Sequence, residues 1–77
     1  MINSITTTKY IKFDLSKISD DIEYKDYLLD LIEFISEDYL QPKLNDNVVY
    51  AKISIYNFNQ LMIGHDGIVA SDLSDLI

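Results

Sequence analysis

The sequence predicts an α+β domain of two layers, in which one long amphipathic helix packs on a small, mostly antiparallel sheet of three or four strands. Alternation of apolar and polar residues begins near residue 7 and again near residue 48, as in strands that bury one face. Between these segments, residues 20–40 have the periodicity of a helix with one apolar stripe. Such a helix and such strands bury each other as two layers, in the order β-α-β-β or β-α-β-β-β.

The first predicted strand spans residues 7–15. Its apolar residues Ile11, Phe13 and Leu15 occupy alternate positions. Because successive side chains of a strand point to opposite faces, these three are predicted to face the core. The intervening residues, among them Tyr10, are predicted to face outward.

The predicted helix spans residues 20–40. Asp20 precedes Glu23 by three residues, which is the spacing of a capping box with Asp20 as the N-cap. Pro42 is predicted to end the helix, since the residue before a proline avoids the helical region. The apolar stripe consists of Tyr24, Leu28, Leu31, Ile32, Ile35 and Tyr39.

The second predicted strand spans residues 48–56. One of its faces is apolar, with Val49, Ala51, Ile53 and Ile55, and the other carries Tyr50, Lys52, Ser54 and Tyr56. The helix joins this strand to the first one. The two strands are therefore either antiparallel or made parallel by a right-handed crossover.

The C-terminal part of the chain admits two interpretations. Asp66-Gly67 lies between apolar flanks, which is typical of a tight hairpin with positive φ in its turn. In that interpretation residues 57–60 form a turn. The alternative is a short helix that is capped by Asn57 and ends at Gly64.

Composition restricts the kinds of function that the chain can have. Residues 1–77 are expected to form one small domain, with 13 Asp and Glu, 6 lysines, no arginine and no cysteine. The missing cysteine excludes a disulfide framework and a cysteine nucleophile. The net charge of −7 repels nucleic acid and attracts basic surfaces, so we expect no direct binding of nucleic acid.

The composition and the N-terminus also suggest where the protein works. The abundance of Ile, Asn, Lys, Tyr and Asp suggests a coding sequence from a low-GC bacterium or one of its mobile elements. The N-terminal residues lack the pattern of a signal peptide. No stretch approaches the roughly 20 apolar residues that cross a bilayer. We therefore expect a protein of the bacterial cytoplasm that does not bind membranes.

The segment EYKDYLLDLIEFISE, residues 23–37, contains a stripe of acidic residues. On the predicted helix these acids lie on an arc of about 80°, roughly opposite the apolar stripe. Like charges at this spacing cost about 0.2–0.5 kcal/mol per pair, and a partner with basic residues would relieve the repulsion. The predicted partner-binding residues are Glu23, Asp26, Asp30, Glu33 and Glu37.

From this stripe we expect a small acidic inhibitor or interaction protein that binds a basic, nucleic-acid-binding surface of a partner such as a nuclease. The charge, the size and the AT-rich composition suggest a phage anti-CRISPR or anti-restriction protein whose acidic stripe imitates DNA, or an immunity protein against a nuclease toxin. The alternative is a non-catalytic structural or regulatory subunit whose acidic helix face only aids solubility.

The outward face of the predicted sheet is a second candidate surface. Tyr10, Tyr50 and Tyr56 would lie on it, and exposed tyrosines are good anchors for a protein interface. The structural explanation is that Tyr–Lys pairs stabilise the sheet itself. An exposed edge strand could also pair two copies into a homodimer.

Catalytic chemistry has little support in the sequence. His65 is the only histidine and lies beside Asp66 in a predicted turn, so no catalytic triad is expected. The acidic residues lack the spacing of an EF-hand, and a helix cannot wrap a metal ion. We therefore expect no enzymatic activity, no cofactor and no metal.

Overall fold

The computed structural model describes residues 7–40, 42, 46–65 and 67–73. The chain folds into four strands and two α-helices, with a short 3-10 turn at Ser16–Ile18. In chain order the elements are β1 (Thr8–Asp14), α1 (Ile22–Ile35), β2 (Ser36–Leu40), β3 (Val48–Ser54), α2 (Ile55–Gly64) and β4 (Val69–Asp72).

The four strands form one sheet in the order β2-β3-β1-β4, and each neighbouring pair is antiparallel. The element order β-α-β-β-α-β is that of the ferredoxin-like, split βαβ motif. The prediction of an α+β fold with an antiparallel sheet is therefore confirmed. The prediction of one long helix is met only in part, because α1 is shorter than predicted and a second helix, α2, occupies a segment that the sequence favours as a turn and a hairpin.

Both helices supply side chains to the core on one face of the sheet. Strands β1 and β3 alternate as predicted, and their inward residues are almost completely buried. Helix α1 adds Leu28 and Ile32, which are fully buried, and α2 adds Leu61. The sheet residues of this core are Ile11, Phe13, Val49, Ala51 and Ile53.

Helix α1 begins one residue later than the capping box predicts. The N-cap is Asp21, whose carboxylate accepts a hydrogen bond from the backbone N–H of Tyr24 at 3.1 Å. Asp20 is an exposed turn residue before the cap. The predicted capping box of Asp20 and Glu23 is therefore wrong, although an aspartate side chain does cap the helix.

Helix α1 also ends five residues earlier than predicted, at Ile35. The backbone N–H of Ser36 donates to the carbonyl of Glu33, and its hydroxyl donates to the carbonyl of Ile32. The chain then enters β2 with no loop between the two elements. Tyr39 therefore lies on a strand opposite Ala51, and not on the helix.

Helix α2 replaces the turn that we predicted at residues 57–60. Its N-cap is Ser54, which is buried and accepts a hydrogen bond from the backbone N–H of Asn57 at 3.1 Å. The alternative interpretation, a short helix that ends at Gly64, is correct at its C-terminal end. Asn57 is not its cap, since the helix begins at Ile55.

The connection from α2 to β4 needs a glycine for a reason that differs from the predicted one. The φ of Gly67 is not in the left-handed region, and Asp66 lies outside the described residues. A Cβ atom on Gly67 would lie 2.5 Å from Cγ2 of Ile18. A side chain here would therefore force Ile18 to shift, whereas a positive φ plays no part. In the described part of the chain, no helix is long and apolar enough to span a membrane.

Candidate protein-interaction surface

The exposed side of α1 carries four of the predicted acidic residues, which we call the acidic face. All four side chains are exposed, and none forms a salt bridge with a described residue. They lie within an arc of about 80° on a helix with 3.6 residues per turn. The acidic face consists of Glu23, Asp26, Asp30 and Glu33.

Glu37 does not belong to the acidic face. Helix α1 has ended before this position, and Glu37 is an exposed residue of β2, at a bulge between Ser36 and Asp38. The predicted placement of Glu37 is therefore wrong. The pairs 23/26, 26/30 and 30/33 remain as like-charged neighbours on the helix, and together they cost roughly 0.6–1.5 kcal/mol.

Two exposed aromatic residues border the acidic face, and we call them the aromatic edge. Phe34 is 84% exposed and Tyr27 is 55% exposed. They are seven residues apart, so they lie on one line along the helix, beside Glu23 and Asp30. Sequence reasoning missed them, although both fall outside the apolar stripe and could have been found on that basis.

A shallow cleft of about 280 Å³ lies between the acidic face and the end of β2. Its lining includes Asp30, Glu33 and Tyr39. Burial raises the pKa of Tyr39, and the charges of Glu33 and Asp30 raise it further. The phenol therefore stays neutral at physiological pH and can donate a hydrogen bond beside two carboxylates.

His65 joins the two helices. It is the C-cap of α2, and its Nδ1 shares a hydrogen bond of 2.6 Å with the hydroxyl of Tyr24 on α1. Its ring centroid lies 5.9 Å from that of Tyr24 and 6.2 Å from that of Tyr27. A structural role for His65 is thus visible in its contacts. Sequence reasoning placed it in a turn and missed these partners.

The face of the sheet away from the helices, which we call the open sheet face, carries the tyrosines of β1 and β3. Tyr10 and Tyr50 are exposed there as predicted, and Nζ of Lys52 lies 5.7 Å from the centroid of the Tyr10 ring. Tyr56 is not on this face, because Ser54 has already started α2. Tyr56 is instead an exposed residue of that helix.

Within the described residues, no three His, Cys, Asp or Glu side chains are placed to hold a metal ion. The acidic face is spread along one side of α1, so its carboxylates do not converge on a point. The arrangement suits a cationic surface better than a single cation.

Comparisons of this chain with protein-family models, curated proteins and solved structures found no match.

Proposed function

We propose that the protein is a small, non-catalytic inhibitor that binds a basic, nucleic-acid-binding surface of a partner protein through the acidic face. The observation that supports this proposal is the set of exposed α1 carboxylates that form no salt bridge with a described residue. Like charges at this spacing destabilise the helix, and a basic partner would turn that repulsion into attraction.

The aromatic edge adds a second property to the proposed interface. Binding energy at protein interfaces is concentrated in buried aromatic and arginine side chains, whereas charges at the rim mainly steer association. Phe34 is the most exposed large apolar residue of α1. A partner that covers both the acidic face and Phe34 therefore presents basic side chains around an apolar patch.

The spacing of the carboxylates limits how far the acidic face can imitate DNA. Glu23 and Glu33 are ten residues apart, which is about 15 Å along a helix, and so neighbouring acids are about 5 Å apart. One strand of duplex DNA carries a charge about every 3.4 Å. The acidic face thus replaces a few phosphates on one side of a nucleic acid, and it occupies part of a binding channel. Anti-CRISPR, anti-restriction and nuclease-immunity proteins are the classes with this kind of target.

The test of the proposal is DNA cleavage by a panel of purified CRISPR effector complexes, restriction enzymes and nuclease toxins, each assayed with and without the protein. We expect inhibition of at least one of these enzymes. A variant with Asp26→Asn, Asp30→Asn and Glu33→Gln should inhibit it at least tenfold more weakly, which is about 1.4 kcal/mol of binding free energy. Inhibition by the parent should also weaken with added salt.

A matched control separates the acidic face from the net charge of the protein. The changes Glu37→Gln, Asp38→Asn and Asp46→Asn remove the same number of charges outside α1, and inhibition should stay within about twofold of the parent. Equal inhibition by the parent and the α1 variant would mean that the acids only aid solubility, as in a structural or regulatory subunit. A panel in which no enzyme is inhibited would contradict the inhibitor proposal.

A further inference from the structure

The open sheet face carries apolar side chains that the helices do not cover. Four of its large apolar or aromatic residues are between 40% and 66% exposed. They come from all four strands, so the apolar character extends across the whole sheet: Tyr10 on β1, Leu40 on β2, Tyr50 on β3 and Val69 on β4. Such a sheet can bury this area by packing on a second layer.

The charges on this face balance. Lys12 and Lys52 share it with Asp14 and Asp38, and Asp38 lies directly opposite Lys52 in the β2–β3 register. The whole chain carries −7, whereas these four charges sum to zero. Two copies of the chain repel each other through their net charge, and the repulsion is smallest where neutral faces meet.

The register of β1 and β3 makes the face complementary to itself. Tyr10 lies opposite Lys52, and Lys12 lies opposite Tyr50. A two-fold axis that runs parallel to these strands, midway between them, places β1 of one copy over β3 of the other. Each tyrosine ring then lies over a lysine of the second copy, an arrangement that favours cation–π contacts.

We propose that two copies of this chain pair through the open sheet face as a two-fold symmetric dimer. The dimer leaves both acidic faces on its outside, so this pairing is independent of the proposed inhibitory function. Four strands about 4.8 Å apart and about 20 Å long give roughly 400 Å² of flat surface per copy. Two such flat faces bury roughly 800 Å², and the uneven surface of the side chains adds to this area. The total is below that of a stable dimer and in the range of weak, reversible association.

The test is sedimentation equilibrium of the full chain from about 5 µM to about 1 mM, a range in which weak interfaces associate. The parent should pass from monomer to dimer within it. The double change Tyr10→Ser and Tyr50→Ser should remain monomeric throughout. The changes Tyr10→Phe and Tyr50→Phe keep both rings and should preserve the dimer.

Phe34→Ser is the matched control, since it removes an exposed aromatic residue from the helix layer and should leave the dimer unchanged. If the double serine variant fails to fold by circular dichroism, Leu40→Lys takes its place, because Leu40 is an exposed residue of the edge strand β2. This variant should also be monomeric. A dimer that is lost in Phe34→Ser and kept in Leu40→Lys would overturn the proposal.

The dependence of dimerisation on salt concentration is the second measurement. Raising NaCl from about 0.05 M to about 0.5 M should strengthen the dimer several-fold, because it screens the repulsion between two acidic proteins. A dimer that weakens with salt would contradict pairing through a neutral face.

A parent that stays monomeric at about 1 mM would overturn the proposal as well. If that monomer then binds oligouridine through its two tyrosines, the open sheet face is a base-stacking surface and not a dimer interface.

Discussion

At the scale of single residues, Tyr39 lies where the sheet meets the acidic face. The strand β2 holds it opposite Ala51, and the cleft beside it is lined by Asp30 and Glu33. Burial is the main cause of its raised pKa, and the two carboxylates add to it. The pKa of its hydroxyl therefore depends first on burial and then on the charges of the acidic face.

The pKa of Tyr39 is raised above its ordinary value of 10.0, so the folded state retains the phenolic proton more strongly than the unfolded state. This contribution to stability is complete below about pH 10 and is lost as the pH rises through the folded-state pKa. We expect the free energy of unfolding of the parent to fall more steeply above pH 10 than that of Tyr39→Phe, as measured by urea titration. The same slope in both proteins would contradict the assignment.

A second residue-scale effect concerns Asp14, at the end of β1. The hydroxyl and backbone N–H of Ser16 both donate to its carboxylate, and these hydrogen bonds lower the pKa of Asp14. The carboxylate thus fixes the turn that leads from the sheet to α1. Lys12 on the same face lowers the pKa further, although its effect is the smallest of those that act.

At the scale of elements, α1 is attached to the sheet by its buried residues. Leu28 and Ile32 are fully buried, whereas Leu31 and Ile35 are only partly buried and line a groove between α1 and α2. The apolar stripe therefore faces two neighbours, the sheet and α2. The sequence pattern identified the stripe but could not divide it between them.

We expect Leu28→Ala and Ile32→Ala each to lower the free energy of unfolding by about 2–5 kcal/mol, because each leaves a cavity in the core. Leu31→Ala and Ile35→Ala should cost less, since part of each side chain is already in contact with solvent. Phe34→Ala is the control and should change stability by no more than about 0.5 kcal/mol. Denaturant unfolding measures all five variants. Equal losses at Leu28 and Leu31 would show that the burial of the helix is assigned wrongly.

Local patterns predicted β1, the body of α1 and β3, because each has a clear period and a buried face. They could not predict where α1 ends. Glu37 and Tyr39 continue the helical spacing of Glu33 and Ile35, so the stripe does not break in the sequence. The strand β2 exists because it pairs with β3, and such a non-local contact leaves little trace in five residues.

The sequence pattern does not predict α2 either, because the pattern of the preceding strand continues into the helix. The alternation of β3 extends through Ile55, and Asn57 and Asn59 resemble turn residues. The deciding feature is Ser54, whose side chain is buried and caps the helix. A serine at an outward position of a predicted strand does not indicate this capping role. For the same reason Tyr56, which is predicted to lie on the sheet, lies on the helix.

At the scale of the whole molecule, charge is divided between the two layers. The helix layer carries the four carboxylates of the acidic face, while the open sheet face carries Lys12 and Lys52 balanced by two acids. The molecule thus has one strongly negative side and one nearly neutral side. Its net charge of −7 also works against its own compact state.

Salt should therefore stabilise the fold. We expect the free energy of unfolding to rise by up to about 1 kcal/mol between about 0.01 M and about 0.5 M NaCl, because repulsion along α1 is screened. The variant with Asp26→Asn, Asp30→Asn and Glu33→Gln should gain less than the parent. The measurement is thermal or urea unfolding at protein concentrations below those at which the dimer forms. A parent that loses stability over this range would contradict the prediction.

The direct junction between Ile35 and Ser36 has a consequence for binding. Helix α1 cannot tilt or slide without pulling β2 away from β3, since no loop separates the two elements. The acidic face is thus held in one orientation before any partner arrives. A preorganised surface loses little conformational freedom on association. In the proposed complex the entropy lost on binding would then fall mainly on the partner, so rigid basic surfaces should be bound more tightly than flexible basic tails of the same charge.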